Sequence, residues 1–277
     1  MIPFSSFVLR SSQLLSTVLV AASTLIAPVA QAGLSVSPLV VELNSRQGQA
    51  QGTITVGNSG EDPFRARSYA VPFTYDRETG FKELPKADND LTPYLQFSPP
   101  EVSIPGADRR RVRFITRLAP SLPDGEYRAM IFTETLNQIV PPEVTTSGET
   151  TVTTTILPRL GVAVYVRKGK LSPSLAIDSF RFNALDQQPQ VLVKNTGKAS
   201  AIVMSEWTIK QADREITKGM VQETTVIAEG DRYVSIKLPE TTKLSPGDYQ
   251  LQGNILWGFN HSQKIPYQFK FTVSAKK

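Results

Sequence analysis

Apolar residues recur at every second position along most of this chain. In GTITVGN (52–58) Ile54 and Val56 fall on one side, and FRARSYAVPF (64–73) alternates in the same way. A period of two is the spacing of half-buried strands, whereas an amphipathic helix would show one near 3.6. Turn clusters punctuate the runs: Asn58-Ser59-Gly60, Asp76-Arg77-Glu78-Thr79-Gly80 and Pro105-Gly106. Such clusters supply the backbone conformations that strands cannot adopt. Helix signals are nearly absent.

Two runs open on a tight turn followed at once by a tyrosine: LPDGEYRAMIF (122–132) and LSPGDYQLQGNILW (244–257). A tyrosine whose hydroxyl ties back to the backbone just upstream marks a corner of an immunoglobulin-like β-sandwich. Two corners predict two sandwiches. In the first half, LSVSPLVVEL (34–43) reads as an opening strand, with Pro38 as an edge or a switch between sheets. Residues 138–150 read as a polar loop. TVTTTILPRLGVAVYVRKG (151–169) reads as one long strand segment, with Leu160, Val162, Val164 and Val166 on one face and Gly161, Ala163, Tyr165 and Arg167 on the other. A polar linker at 168–173 places the domain boundary between 169 and 170. Seven short strands follow, with Trp207 and Trp257 facing inward.

The first 32 residues carry Arg10, an apolar middle through Leu14, Leu15, Val18 and Leu19, and Ala30-Gln31-Ala32 before Gly33. That is the pattern of a secretory signal peptide, interrupted by Ser16, Thr17 and Pro28 and so shorter than the ~20 apolar residues of a membrane span. The expected organisation is therefore all-β: a signal peptide (1–32), then sandwiches at 33–169 and 170–277. The remainder of the 277 residues is too long for one sandwich of ~100 residues and suits two. The mature chain is expected to be exported to the periplasm, with no later membrane span.

Composition narrows the chemistry. There is no cysteine and a single histidine, His261, so neither a thiol nucleophile nor a multi-histidine metal site can be assembled. No Gly-x-Ser-x-Gly elbow and no Gly-rich phosphate loop is present. Asp88-Asn89-Asp90 lacks the ligand spacing of a calcium loop. An enzyme is not expected, and no catalytic residue, metal or cofactor is assigned. A net charge of +5 without basic clusters interleaved with aromatics gives no reason to expect a nucleic-acid partner. The triple Arg109-Arg110-Arg111 is expected on an exposed strand edge, where arginines discourage unwanted pairing.

Several segments, in this order and spacing, resemble the periplasmic pilus (fimbrial) assembly chaperones of the PapD-like family. They are SPLVVELN (37–44), GTITVGNSGEDPFRARSYA (52–70), SPPEVSIPGADRRRVRF (98–114), DGEYRAMIF (124–132) and GVAVYVRK (161–168). The resemblance implies two immunoglobulin-like domains, no nucleotide, and a pilus or surface-fibre subunit as client, held by donor-strand addition. It places the lent strand at Val152, Thr154, Ile156 and Pro158, and the carboxylate anchor of the family at Val40 and Ala163. Neither of those two carries a charge here, so the anchor is degenerate. It also implies interdomain ion pairs from Arg113, Glu126 and Arg167. An outer-membrane usher is a further candidate partner, and a dimer whose lending edges cap one another is a candidate assembly. The alternative is a non-enzymatic exported structural or adaptor protein that kept the scaffold and lost the anchor. An exported hydrolase or carbohydrate-binding module rests on fold analogy alone.

Overall fold

The structure is a computed structural model that describes residues 33–137, 143–147, 150–154, 157–183 and 186–274, with backbone only for 143–147 and 150–154. The signal-peptide segment, 1–32, lies outside the described residues. Residues Gln31–Lys277 form one compact unit.

In chain order the first strands are β1 (Leu34–Ser37), β2 (Val40–Asn44), β3 (Gln49–Asn58), β4 (Phe64–Val71), β5 (Phe73–Asp76) and β6 (Gly80–Glu83). Next come β7 (Leu95–Ser98), β8 (Glu101–Ile104), β9 (Arg109–Arg117), β10 (Gly125–Thr135), β11 (Glu143–Ser147), β12 (Thr150–Thr154) and β13 (Arg159–Lys168). The second half holds β14 (Leu175–Asn183), β15 (Gln188–Asn195), β16 (Ala201–Gln211), β17 (Arg214–Val226), β18 (Gly230–Ser235), β19 (Gly247–Trp257) and β20 (Gln263–Val273).

The first sandwich packs the sheet β1-β3-β9-β7 against the sheet β2-β13-β10-β4-β8. Pro38 sits between β1 and β2, where the chain crosses from one sheet to the other. The inward row of each strand makes the core: Ile54 and Val56, Val112 and Phe114, Ile131, and Val162, Val164 and Val166. The second sandwich packs β14-β15-β18 against β17-β16-β19-β20 around Val203, Trp207, Ile209, Leu251 and Ile255. No sheet takes strands from both halves among the described residues.

Each sandwich is locked by the same two devices. The first is the tyrosine corner: the Tyr127 hydroxyl donates to the Pro123 carbonyl at 2.8 Å, and the Tyr249 hydroxyl to that of Ser245 at 2.9 Å. The second is a buried asparagine at a turn. Asn58 Nδ2 donates to the carbonyls of Asp62, Ile104 and Pro105 while its Oδ1 accepts from the Gly60 N–H. Asn195 Nδ2 donates to Ala199, Val226 and Ile227, and its Oδ1 accepts from Ser174 and Gly197. Polar atoms buried in a core must be paired, and these amides satisfy loop carbonyls that no strand reaches.

Two readings of the sequence change and a third is refined. The polar loop at 138–150 contains β11, which pairs β12 from Glu143↔Thr154 to Ser147↔Thr150. The long segment 151–169 is two strands rather than one, β12 and β13. The arginine triple is exposed and paired on one side only, because β3 runs beside Arg109 to Arg111 whereas β7 reaches no further than Arg113 among the described residues.

Tyr127→Phe and Tyr249→Phe should each remove about 1 kcal/mol, the net worth of one partly buried hydrogen bond. For a unit of this size that lowers the melting temperature by about 2–4 °C. Thermal unfolding followed by circular dichroism checks this, and an unchanged midpoint in either variant would show that its corner is not a tie.

Candidate functional site

The outward face of β10 and β13 meets the second sandwich. Alternation along β10 sends Tyr127, Ala129 and Ile131 into the core and leaves Glu126, Arg128, Met130 and Phe132 on the other side. Their neighbours on β13 are Arg167, Tyr165, Ala163 and Gly161, in that order. Beyond β13, β2 runs parallel and sets Val40 opposite Ala163 and Glu42 opposite Tyr165.

At one end of this face is a charged junction. Arg167 Nε donates to Glu126 Oε2 at 3.0 Å, and its Nη2 donates to the Ser200 carbonyl at 2.8 Å and to the Glu42 carboxylate. The Ser200 N–H reaches Glu126 Oε2 at 2.8 Å, the Ser200 hydroxyl donates to the other carboxylate oxygen, and Ala228 N–H donates to that hydroxyl at 3.1 Å. The Glu126 side chain is 1 % exposed. A charge so far from water is tolerable only when its lone pairs are occupied, and here the arginine and the serine of the opposite sandwich occupy them. Burial pushes the Glu42 carboxyl above its ordinary pKa, with the Arg167 charge acting in the other direction.

Next along the face is an apolar cluster of Phe73, Met130, Phe132, Ala163 and Tyr165, closed by Ile227 of the second sandwich and flanked by Val40. Phe73 and Tyr165 are fully buried and meet edge to face with centroids 6.1 Å apart. Phe73 belongs to the β5–β6 hairpin, which lies over the cluster and also reaches across: Arg77 pairs with Asp231, Glu78 with Arg181 at 2.7 Å, and Arg232 sits 4.3 Å from the Tyr75 ring centroid. Arg128 is buried beside this hairpin. Its Nε donates to the Phe73 carbonyl at 3.3 Å, its Nη1 has no partner, and desolvation lowers its pKa.

The structure therefore brings Glu126 and Arg167 together, and leaves Arg113 out. Arg113 is on β9, in the other sheet, exposed and opposite Thr53 and Ser98. The reading of it as an interdomain ion pair is corrected by its register: odd-numbered positions of β9 face away from the core. Val40 and Ala163 do stand side by side, but inside the apolar cluster, where Ala163 is 2 % exposed. Of the lent-strand positions, Ile156 lies outside the described residues, and Val152 and Thr154 fall on β12. Pro158 is half-buried and its carbonyl accepts the Thr135 N–H at 3.3 Å, which carries the β10–β13 ladder past the end of β13. Among the described residues β12 pairs β11 only. The edge of β13 away from β10 is covered by β2 from Ala163 onward, leaving 159–162 without a strand on that side among the described residues.

Sequence reasoning missed Ser200, Glu42 and the packing of the β5–β6 hairpin across the junction. Ser200 works through its backbone as much as its side chain, and no residue type announces that. The hairpin turn itself was readable from Asp76 to Gly80, but not what Phe73 would pack against. Among the described residues no group of three His, Cys, Asp or Glu could hold a metal, and no helix is long and apolar enough to cross a membrane. His261 lies exposed in a 3-10 turn between β19 and β20.

No family model and no curated protein matches the sequence. Among solved structures, the chain is similar to the YadV chaperone, with 10 % identity and a TM-score of 0.47 over 86 % of this chain and 99 % of that one. It is also similar to a chain of the CsuC–CsuE chaperone–tip adhesion subunit pre-assembly complex from Csu pili of Acinetobacter baumannii, with 12 % identity and a TM-score of 0.46 over 86 % and 98 %. A third is a chaperone–tip adhesin complex of CFA/I fimbriae, with 14 % identity and a TM-score of 0.45 over 86 % and 98 %.

Glu126→Ala should destabilise by about 1–3 kcal/mol, because it leaves the Ser200 N–H and hydroxyl without their acceptor and Arg167 with Glu42 as its remaining carboxylate. Glu126→Gln and Ser200→Ala should couple in a double-mutant cycle by more than about 0.5 kcal/mol. Urea unfolding of the four proteins checks this, and additive effects would separate the two residues.

Proposed function

We propose that this chain is an exported, periplasmic chaperone-like protein for pilus or surface-fibre subunits, which caps a client by lending it a strand and uses no nucleotide. In this reading a signal peptide of 1–32 is removed, and sandwiches of 33–169 and 170–277 form the mature scaffold. The observation that carries it is the hairpin β11–β12, set where the β10–β13 ladder leads, with one edge of β12 unpaired among the described residues. A strand edge left open offers a row of N–H and C=O groups to another chain. A client that lacks a strand completes its own sheet on such an edge, and side chains of one parity enter its groove. Val152, Thr154, Ile156 and Pro158 are that parity here. Each added backbone hydrogen bond contributes about 0.5–1.5 kcal/mol net, so a five-residue pairing suffices for a reversible grip.

The test is recovery of subunits from periplasm with tagged protein. Val152→Asp combined with Ile156→Asp should reduce the yield by about tenfold or more, a loss of at least ~1.4 kcal/mol, at unchanged melting temperature. Equal recovery would mean that strand lending is not how the client is held.

A second reading follows from Val40 and Ala163, which are packed against Phe73, Met130 and Tyr165 rather than open to a ligand. In that reading the scaffold serves as a structural or adaptor protein that has lost carboxylate capture. A client's C-terminal peptide with a free carboxylate and the same peptide amidated should then bind with equal affinity by calorimetry. A preference of about tenfold or more for the free acid, worth ~1.4 kcal/mol, would restore a carboxylate anchor to this scaffold.

A further inference from the structure

The outward face of the sheet β1-β3-β9-β7 carries a feature that strand lending does not use. Along β9, Val112, Phe114 and Thr116 are buried, and Arg109, Arg111, Arg113 and Arg117 project from the opposite side together with Ile115. At a rise of about 3.4 Å per residue, successive arginines in the triplet stand about 7 Å apart and the row spans about 27 Å. The guanidinium groups of Arg109, Arg111 and Arg113 have no ion pair among the described residues, and Arg117 donates only to the neutral Gln96 side chain, at 2.7 Å. Asp108, at the end of the row, is engaged by Arg110.

The strands on either side add hydrogen-bonding groups but no charge. Register places Thr53 and Thr55 of β3 beside Arg113 and Arg111, with Gln51 beside Ile115. On the other side Gln96 and Ser98 of β7 flank Ile115 and Arg113. A groove of about 640 Å³ runs over Gln51, Thr53, Ser98 and Arg113. No outward position of these four strands is Asp or Glu.

We propose that this face binds a linear acidic polysaccharide, with the arginine row matched to the carboxylates of the polymer and the flanking hydroxyl and amide groups to its sugar hydroxyls. Charge complementarity argues for a polyanion. The charge lies along a single strand, a line rather than a plane, which fits an extended chain better than a lipid surface. Ile115 is the only apolar side chain on the outward row of β9, so no wedge is available for insertion into a bilayer. Single-stranded nucleic acid would require aromatic platforms for its bases, and the outward positions of this sheet hold none. The inference is independent of the strand-lending reading, because it uses the other sheet.

The experiment is calorimetric titration of the full mature chain with an alginate oligomer, in which every sugar carries a carboxylate, alongside neutral dextran, phosphatidylglycerol vesicles and oligothymidylate. Alginate is expected to bind, dextran not to, and affinity to fall as salt rises. Arg111→Gln with Arg113→Gln should weaken alginate binding by about tenfold or more, whereas Lys264→Gln with Lys270→Gln, which removes the same net charge from β20, should leave it within about twofold. In the unaltered protein, alginate should also protect Arg111 and Arg113 from phenylglyoxal, a readout that needs no variant to fold. Absence of binding at low salt, an equal loss in the two double variants, lack of protection, or tighter binding to the vesicles or to oligothymidylate would each overturn the proposal.

Discussion

A carboxylate withdrawn from water between two sheets needs partners on every side, and Glu126 finds them in two different sandwiches. Arg167 supplies the charge from the adjacent strand, and Ser200 supplies a backbone N–H and a hydroxyl from the opposite half. An ion buried in this way adds little net stability over an apolar contact of the same shape, but removing one partner is costly. Its effect is therefore directional. The two halves are satisfied in the arrangement that completes the Glu126 shell, and a displaced arrangement leaves a charge bare.

The adjacent contacts depend on that junction. With Ser200 fixed against β10, Ile227 closes over Ala163 and Tyr165, and the β5–β6 hairpin is held between the halves by Arg77, Glu78 and Tyr75. The middle of this contact is consequently filled by aromatic rings. A client carboxylate placed there would have to displace Phe73 and would meet neither a lysine nor an arginine at positions 40 and 163. Arg128 is the nearest buried cation, but it is committed at Nε to the Phe73 carbonyl and covered by the same hairpin.

Much of this was legible in the chain. Alternation located the inward rows of β3, β9, β10 and β13, because a strand buried on one face must repeat with period two. The two tyrosine corners announced two sandwiches, and the ion pair expected between domains from Glu126 and Arg167 forms within the first of them, with Ser200 as the link to the second. What was not legible depended on partners distant in sequence. Glu143–Ser147 is too polar to declare itself a strand and is identified by its pairing with β12. The turn between β16 and β17 uses Ala212 and Asp213 at positive φ, without the glycine or asparagine that signals such a turn, so β17 begins earlier than its apolar residues suggest. Arg113 was expected in an interdomain ion pair because family position, unlike register, carries no information about which face a side chain occupies.

The first sandwich deploys its arginines in two opposite ways. On the β10–β13 face Arg167 is half-buried and Arg128 buried, and the fold depends on what surrounds them. On the β9 face the stabilising contacts are made by Val112, Phe114 and Thr116, and the guanidinium groups behind them contribute nothing to the core. Like charges in a row repel, weakly in water and more at low salt, so the isolated protein gains no stability from that row. The polyalcohol and amide lining beside it is equally idle in the folded monomer. Surfaces that are neither needed for packing nor neutralised internally leave their interactions available to a partner, and for this face the partner must bring negative charge in extended form.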